Sequence, residues 1–120
     1  MCQGLKQMKT KKQELSDEAL EMIATRFRVL AEPTRLKILN ILRGHEMSVS
    51  ELVAACGSGQ ANISKHLSIL LNAGIVSRRK SGLTANYRVA DPSIFDLCDV
   101  VCSRLKDDLE TRQSVLQGVI

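Results

Sequence analysis

A chain of 120 residues with 44% apolar and 25% charged side chains has the size and composition of one folded domain, which excludes the disordered and collagen-like classes. Aromatic residues make up 2%, with no Trp, so the core is built from Leu, Ile, Val and Ala, and a base-stacking platform is disfavoured. The net charge of +4 is uneven: residues 57–90 carry Lys65, Arg78, Arg79, Lys80 and Arg88 with no Asp or Glu, whereas residues 91–120 sum to −3, so a polyanion is drawn to the middle of the chain and repelled from its end.

Residues 1–13 are polar, lysine-bearing and aperiodic, and read as a flexible N-terminal arm; residues 14–120 read as one domain. Ser16 is placed to cap a first helix in which Leu20, Ile23, Ala24, Phe27, Leu30 and Ala31 recur at three- and four-residue steps. Pro33 suits the first turn of a second helix, whose Leu36, Ile38, Leu39, Ile41 and Leu42 run to Gly44. A short third helix starts at Ser48 or Ser50 and is closed by Gly57. After the Gly57-Ser58-Gly59 turn a fourth helix spans Gln60 to Ala73, with Ile63, Leu67, Leu70 and Leu71 on one face and Gln60, Asn62, Ser64, Lys65 and Ser68 on the other. Residues 75–80 and 85–89, separated by Ser81-Gly82, read as a two-stranded hairpin. Asp91-Pro92-Ser93 opens a last helix whose apolar stripe (Ile94, Leu97, Cys98, Val101, Cys102, Leu105, Leu109, Leu116) exceeds what so small a core can cover, which predicts packing against a second copy of the chain.

A short helix, a glycine turn, a second helix with a polar outer face and then a basic hairpin form the layout of a winged helix-turn-helix: mainly α, with a small β-hairpin wing. In that layout the helix from Gln60 enters the major groove of double-stranded DNA. There Gln60 and Asn62 suit adenine edges, while Ser64, Lys65 and His66 meet bases or phosphate. Arg78, Arg79, Lys80 and Arg88 are expected on backbone phosphates, which fix register without reading sequence, and Ser58 on a phosphate at the helix start.

The segments Phe27-Arg28-Val29-Leu30-Ala31-Glu32-Pro33-Thr34-Arg35-Leu36-Lys37-Ile38-Leu39, Gln60 to Leu70, Asn72-Ala73-Gly74-Ile75-Val76 and Tyr87-Arg88-Val89 resemble the ArsR/SmtB metalloregulators of bacteria, and the likeness spans roughly residues 16–110. It implies a winged-helix homodimer, joined by its first and last helices, that represses an inverted-repeat operator and lets go when its inducer binds. The family's inducer sites do not transfer. Where arsenic and cadmium sensors carry cysteines at the start of the third helix, this chain has Ser48 and Ser50. Of the zinc-type ligands in the last helix only Asp91 and Asp107 match, with Ser93 and Arg104 in place of histidines, and Asn40 stands near where redox sensors have a cysteine.

Four cysteines remain: Cys2, Cys56, Cys98 and Cys102. No stretch of 18 apolar residues and no signal-peptide pattern is present, so the chain is expected to be cytoplasmic, with no membrane partner, and its cysteines to be thiols. Cys98 and Cys102, at i and i+4, place their thiols on one helical face about 6 Å apart at Cβ. Two such thiolates suit a thiophilic ion of the arsenite, cadmium or lead class, with a third sulfur from Cys56, Cys2 or a partner chain. Alternatively reactive sulfur or an oxidant joins two of them and no ion is needed. The plainer reading is that both pack in the stripe, since free Cys is among the most buried residue types. His45 and His66 anchor no metal site, His66 being read as a DNA-contacting or surface residue. A cysteine enzyme lacks a histidine in a setting that suggests activation of a thiol, and a protein-protein adaptor is disfavoured by the acid-free stretch from 57 to 90.

Overall fold

The computed structural model describes residues 14–119, so the expected arm and Cys2 lie outside the described residues. Five helices and one three-stranded sheet follow in the order α1 (Asp17–Leu30), α2 (Pro33–Ile41), β1 (Met47–Ser48), α3 (Val49–Cys56), α4 (Gln60–Asn72), β2 (Val76–Ser81), β3 (Thr84–Val89) and α5 (Ser93–Val119). This is the winged helix-turn-helix that the sequence predicts.

The helix starts are chemical. Ser16 accepts a hydrogen bond from the Ala19 amide at 3.0 Å, and Glu32 accepts from the Arg35 amide at 2.9 Å just before Pro33. Ser48 and Glu51 form a reciprocal capping box, which settles the choice between Ser48 and Ser50. Gly57 ends α3 in the left-handed region at φ 68°, where a side chain would be strained, and so permits the abrupt turn into α4. The second helix stops at Ile41, short of the expected Gly44, and Leu42 to Gly44 form a turn instead.

The strands lie in the order β1-β3-β2, both pairings antiparallel. The two-residue β1 pairs Met47 with Tyr87 and Ser48 with Asn86, and the sequence does not mark it because two residues cannot display a period of two. Ile38 and Leu39 from α2, Leu42 from the turn after it, Leu52 from α3, and Ile63, Leu67 and Leu70 from α4 form the core with Ile75, Val76, Tyr87 and Ile94. From α1 only Leu30 is fully buried; Leu20, Met22 and Phe27 are exposed, as are Leu97, Val101, Leu105, Leu109 and Leu116 on α5. Among the described residues no helix is long and apolar enough to cross a membrane.

Candidate nucleic-acid interface

The face of α4 turned away from the core carries Gln60, Lys65 and Ser68, all exposed, with Asn62 and Ser64 half-buried beside them. Asn62 donates to the Ser58 hydroxyl at 2.9 Å, a contact that steadies the turn before the helix and orients the amide. Gly59, at the N-cap, offers no side chain to the first amides of α4, so their donors are not consumed by a cap. His66, expected as a DNA-contacting or surface residue, is instead 6% exposed and lies inside the molecule rather than on this polar face. It stands three residues after Ile63 and four before Leu70, on the buried arc of the helix, and that spacing was the signal in the sequence.

The four wing cations do not form one cluster, because the pleat separates them. Register pairs Ser77 with Arg88 and Arg79 with Asn86, putting Arg79 and Arg88 on one face of the hairpin, whereas Arg78 and Lys80 share the other with Tyr87 and Ala85. Arg88 Nε donates to the Ser77 hydroxyl at 3.3 Å on the first face. Arg79 is held in an ion pair by Glu46, from the loop just before β1. Among the described residues Arg78, Lys80 and Lys65 make no ion pair; all three are exposed and remain available to phosphates.

Two arginines missed by sequence reasoning brace α4 from the side of the body. Arg26 on α1 donates through Nη1 to the Ala73 carbonyl at 2.7 Å, at the C-terminus of α4, and through Nη2 to Asp91 at 2.6 Å. The Ser93 hydroxyl, and with it Arg26, holds the Asp91 carboxyl below the ordinary range, against burial. Asp91 is thereby occupied in structure. Arg35 at the start of α2 reaches back to the end of α1 and forward to His66.

Cys98 is half-buried and Cys102 exposed, and both open onto one cavity of about 490 Å³ whose other walls are Phe27, Leu30, Ala31, Leu36, Leu97, Val101 and Leu105. The wall is almost wholly apolar. Asp99, beside the thiols in sequence, is paired with Arg43 at 3.1 Å, and the Arg43 guanidinium lies 4.7 Å over the Phe95 ring. Cys56 is not in this wall. It is buried at the end of α3, where burial pushes its thiol up despite nearby Lys37, and contrary to the expectation it does not stand beside the pair as a third sulfur within one chain. Among the described residues no group of three or more His, Cys, Asp or Glu side chains is placed to hold a metal ion.

Residues 32–78 match the family model of bacterial regulatory proteins of the arsR family. A probable mercury resistance operon repressor of Streptomyces lividans is 44% identical over 71 residues, which cover 59% of this chain and 57% of that repressor's own length. The HTH-type transcriptional regulator Rv0081 of Mycobacterium tuberculosis is 34% identical over 105 residues, 87% of this chain and 92% of its own. Its crystal structure aligns with a TM-score of 0.73 over 81% of this chain and 98% of that one. A homodimeric winged helix-turn-helix DNA-binding domain from Mycobacterium bovis, described as a possible ArsR-family regulator, aligns with a TM-score of 0.69 at 29% identity, over 81% of this chain and 93% of that one.

Proposed function

Because the chain belongs to the ArsR/SmtB family of bacterial transcriptional regulators, we propose that it is a cytoplasmic homodimeric repressor whose two copies of α4 and wing grip an inverted-repeat operator. The observation that carries this is the polar face of α4 beside a wing with cations on both faces, in a stretch from 57 to 90 that contains no acid. Gln60, Asn62, Ser64 and Lys65 read base edges, while Ser58, Arg78, Arg79, Lys80 and Arg88 fix the helix over the groove through phosphates. His66 acts from behind. The second copy covers the exposed apolar faces of α1 and α5, which sets the two reading helices apart by about one helical turn of DNA.

The inducer is a thiophilic ion held by Cys98 and Cys102. Two thiols that share one apolar wall, between α1 and α5 where the second protomer packs, are placed so that filling the site disturbs the spacing of the reading helices. Trivalent arsenic, cadmium or lead favours a third sulfur, and the second protomer or Cys2 supplies it. The mercury repressor's likeness supports this ligand class.

Reduced protein titrated with arsenite, cadmium and a polysulfide, with thiolate absorption and operator release followed together, tests the reading. Release by an ion, with Cys102→Ser still binding the operator but no longer releasing it, is the expected result. Normal release from Cys102→Ser removes the sensor, and release by polysulfide alone replaces the ion with sulfur chemistry.

A further inference from the structure

The side chains that bury α4 against the body are Ile63, Leu67 and Leu70, with one imidazole among them, His66. Aliphatic contacts hold two helices together but, being non-directional, do little to fix where each lies along the other. A hydrogen bond does fix it. Nδ1 of His66 lies 3.1 Å from Nη1 of Arg35, and since a guanidinium has donors only, the imidazole nitrogen is the acceptor of that hydrogen bond.

Arg35 is anchored at its other edge. Its Nε donates to the Val29 carbonyl at 2.6 Å and its Nη2 to the Arg28 carbonyl at 3.3 Å, both in the last turn of α1. Glu32, which accepts from the Arg35 amide, stands 3.7 Å from the same imidazole nitrogen. One guanidinium therefore joins the end of α1 to the middle of α4.

We propose that Arg35 and His66 are positioning residues for operator reading: their hydrogen bond sets the register of α4 against α1, and with it where Gln60, Asn62, Ser64 and Lys65 meet the bases. The inference rests on α4 being the reading element proposed above. Hydrogen bonds to base edges weaken steeply with small errors of distance and angle, whereas long cationic side chains follow a phosphate through such errors. The tie therefore governs discrimination between sequences more than affinity for DNA as such. A polar contact kept inside an apolar seam to specify register is the best-attested use of such groups.

The probe is the duplex that the full-length wild-type protein selects from a random pool, set against a scrambled duplex of equal length; the readout is the ratio of the two affinities. His66→Leu is expected to lower that ratio about tenfold, the size of one lost base contact, while affinity for the scrambled duplex stays within about twofold. His66→Asn, which keeps an acceptor near the place of Nδ1, is expected to hold the ratio within about threefold of wild type. Arg35→Met removes the donor instead and serves if His66→Leu proves unfolded by circular dichroism. A folded His66→Leu or Arg35→Met protein whose ratio is unchanged overturns the proposal, and so does a folded Asn variant that discriminates no better than the Leu variant. A wild-type protein that selects no duplex removes the DNA-reading proposal itself, and this one with it.

Discussion

Arg79 shows how one acid tunes a basic wing. Its partner Glu46 sits in the loop just before β1 with 29% of its side chain exposed, and a phosphate that takes Arg79 must first displace that carboxylate. Glu46→Gln is expected to raise affinity for any duplex by about twofold to fivefold at low salt, the range of an exposed ion pair, and to steepen the fall of affinity with salt. Arg79→Ala is expected to weaken binding to all sequences alike. A gel-shift series across salt concentrations measures both, and an Arg79→Ala protein with the wild-type slope would show that Arg79 touches no phosphate. Asp91 carries a separate, acid-side expectation. The hydrogen bond from Ser93 and the pairing with Arg26 depress its folded-state pKa, so its contribution to stability is present above the unfolded value of about 3.9 and is lost as pH falls below it. Thermal unfolding of Asp91→Asn between about pH 3 and pH 6 should show a flatter dependence than wild type at the acid end.

At the scale of elements, what was legible had a local code. Ser16, Pro33, Ser48 and Gly57 mark ends by chemistry that acts within four residues, and the apolar spacing of 63, 67 and 70 assigns α4 without any tertiary knowledge. The cap at Ser48 matters most because α3 has eight residues and carries both the turn into α4 and the short pairing of β1. Ser48→Ala is expected to cost about 1 kcal/mol, seen as a fall of a few degrees in the unfolding midpoint. What stayed illegible depends on reach. Arg26 meets a carbonyl 47 positions away, and Arg35 an imidazole 31 positions away, and no spacing rule connects residues whose neighbourhood exists only once the helices have packed. The same reason explains Glu46 and Arg79, 33 positions apart, and the sharing of one cavity wall by Phe27 and Cys98. His66 is the intermediate case: its position on the apolar arc was readable, but a histidine's polarity argued for the surface.

The described residues are less compact than their number predicts. Their radius of gyration is 18.5 Å, against about 13 Å expected for a globular chain of 106 residues. The excess comes from α5, whose 27 residues run about 40 Å and whose residues 109–118 are all exposed. Cys98, Cys102, Leu105, Leu109, Arg112 and Leu116 recur along it at alternating steps of four and three, the spacing of a seam between paired helices. If a second copy lies on that seam, the thiols stand at the joint whose geometry sets the separation of the reading heads, and ligand and operator compete for the same dimer arrangement. Leu109→Glu should then shift sedimentation toward monomer at micromolar concentration and weaken operator binding, with a smaller effect on isolated half-sites. A sharper consequence follows from linkage, because coupling between two binding equilibria is reciprocal. An ion that lowers operator affinity by a given factor must itself bind more weakly, by that factor, to the operator complex. With a typical coupling of about 1–3 kcal/mol, cadmium or arsenite affinity, followed by thiolate absorption, is expected to fall about fivefold to 150-fold when saturating operator is present. The same fall should be absent in Cys102→Ser. Equal ion affinity with and without operator would mean that occupancy of the thiols and grip on DNA are independent, whatever each does alone.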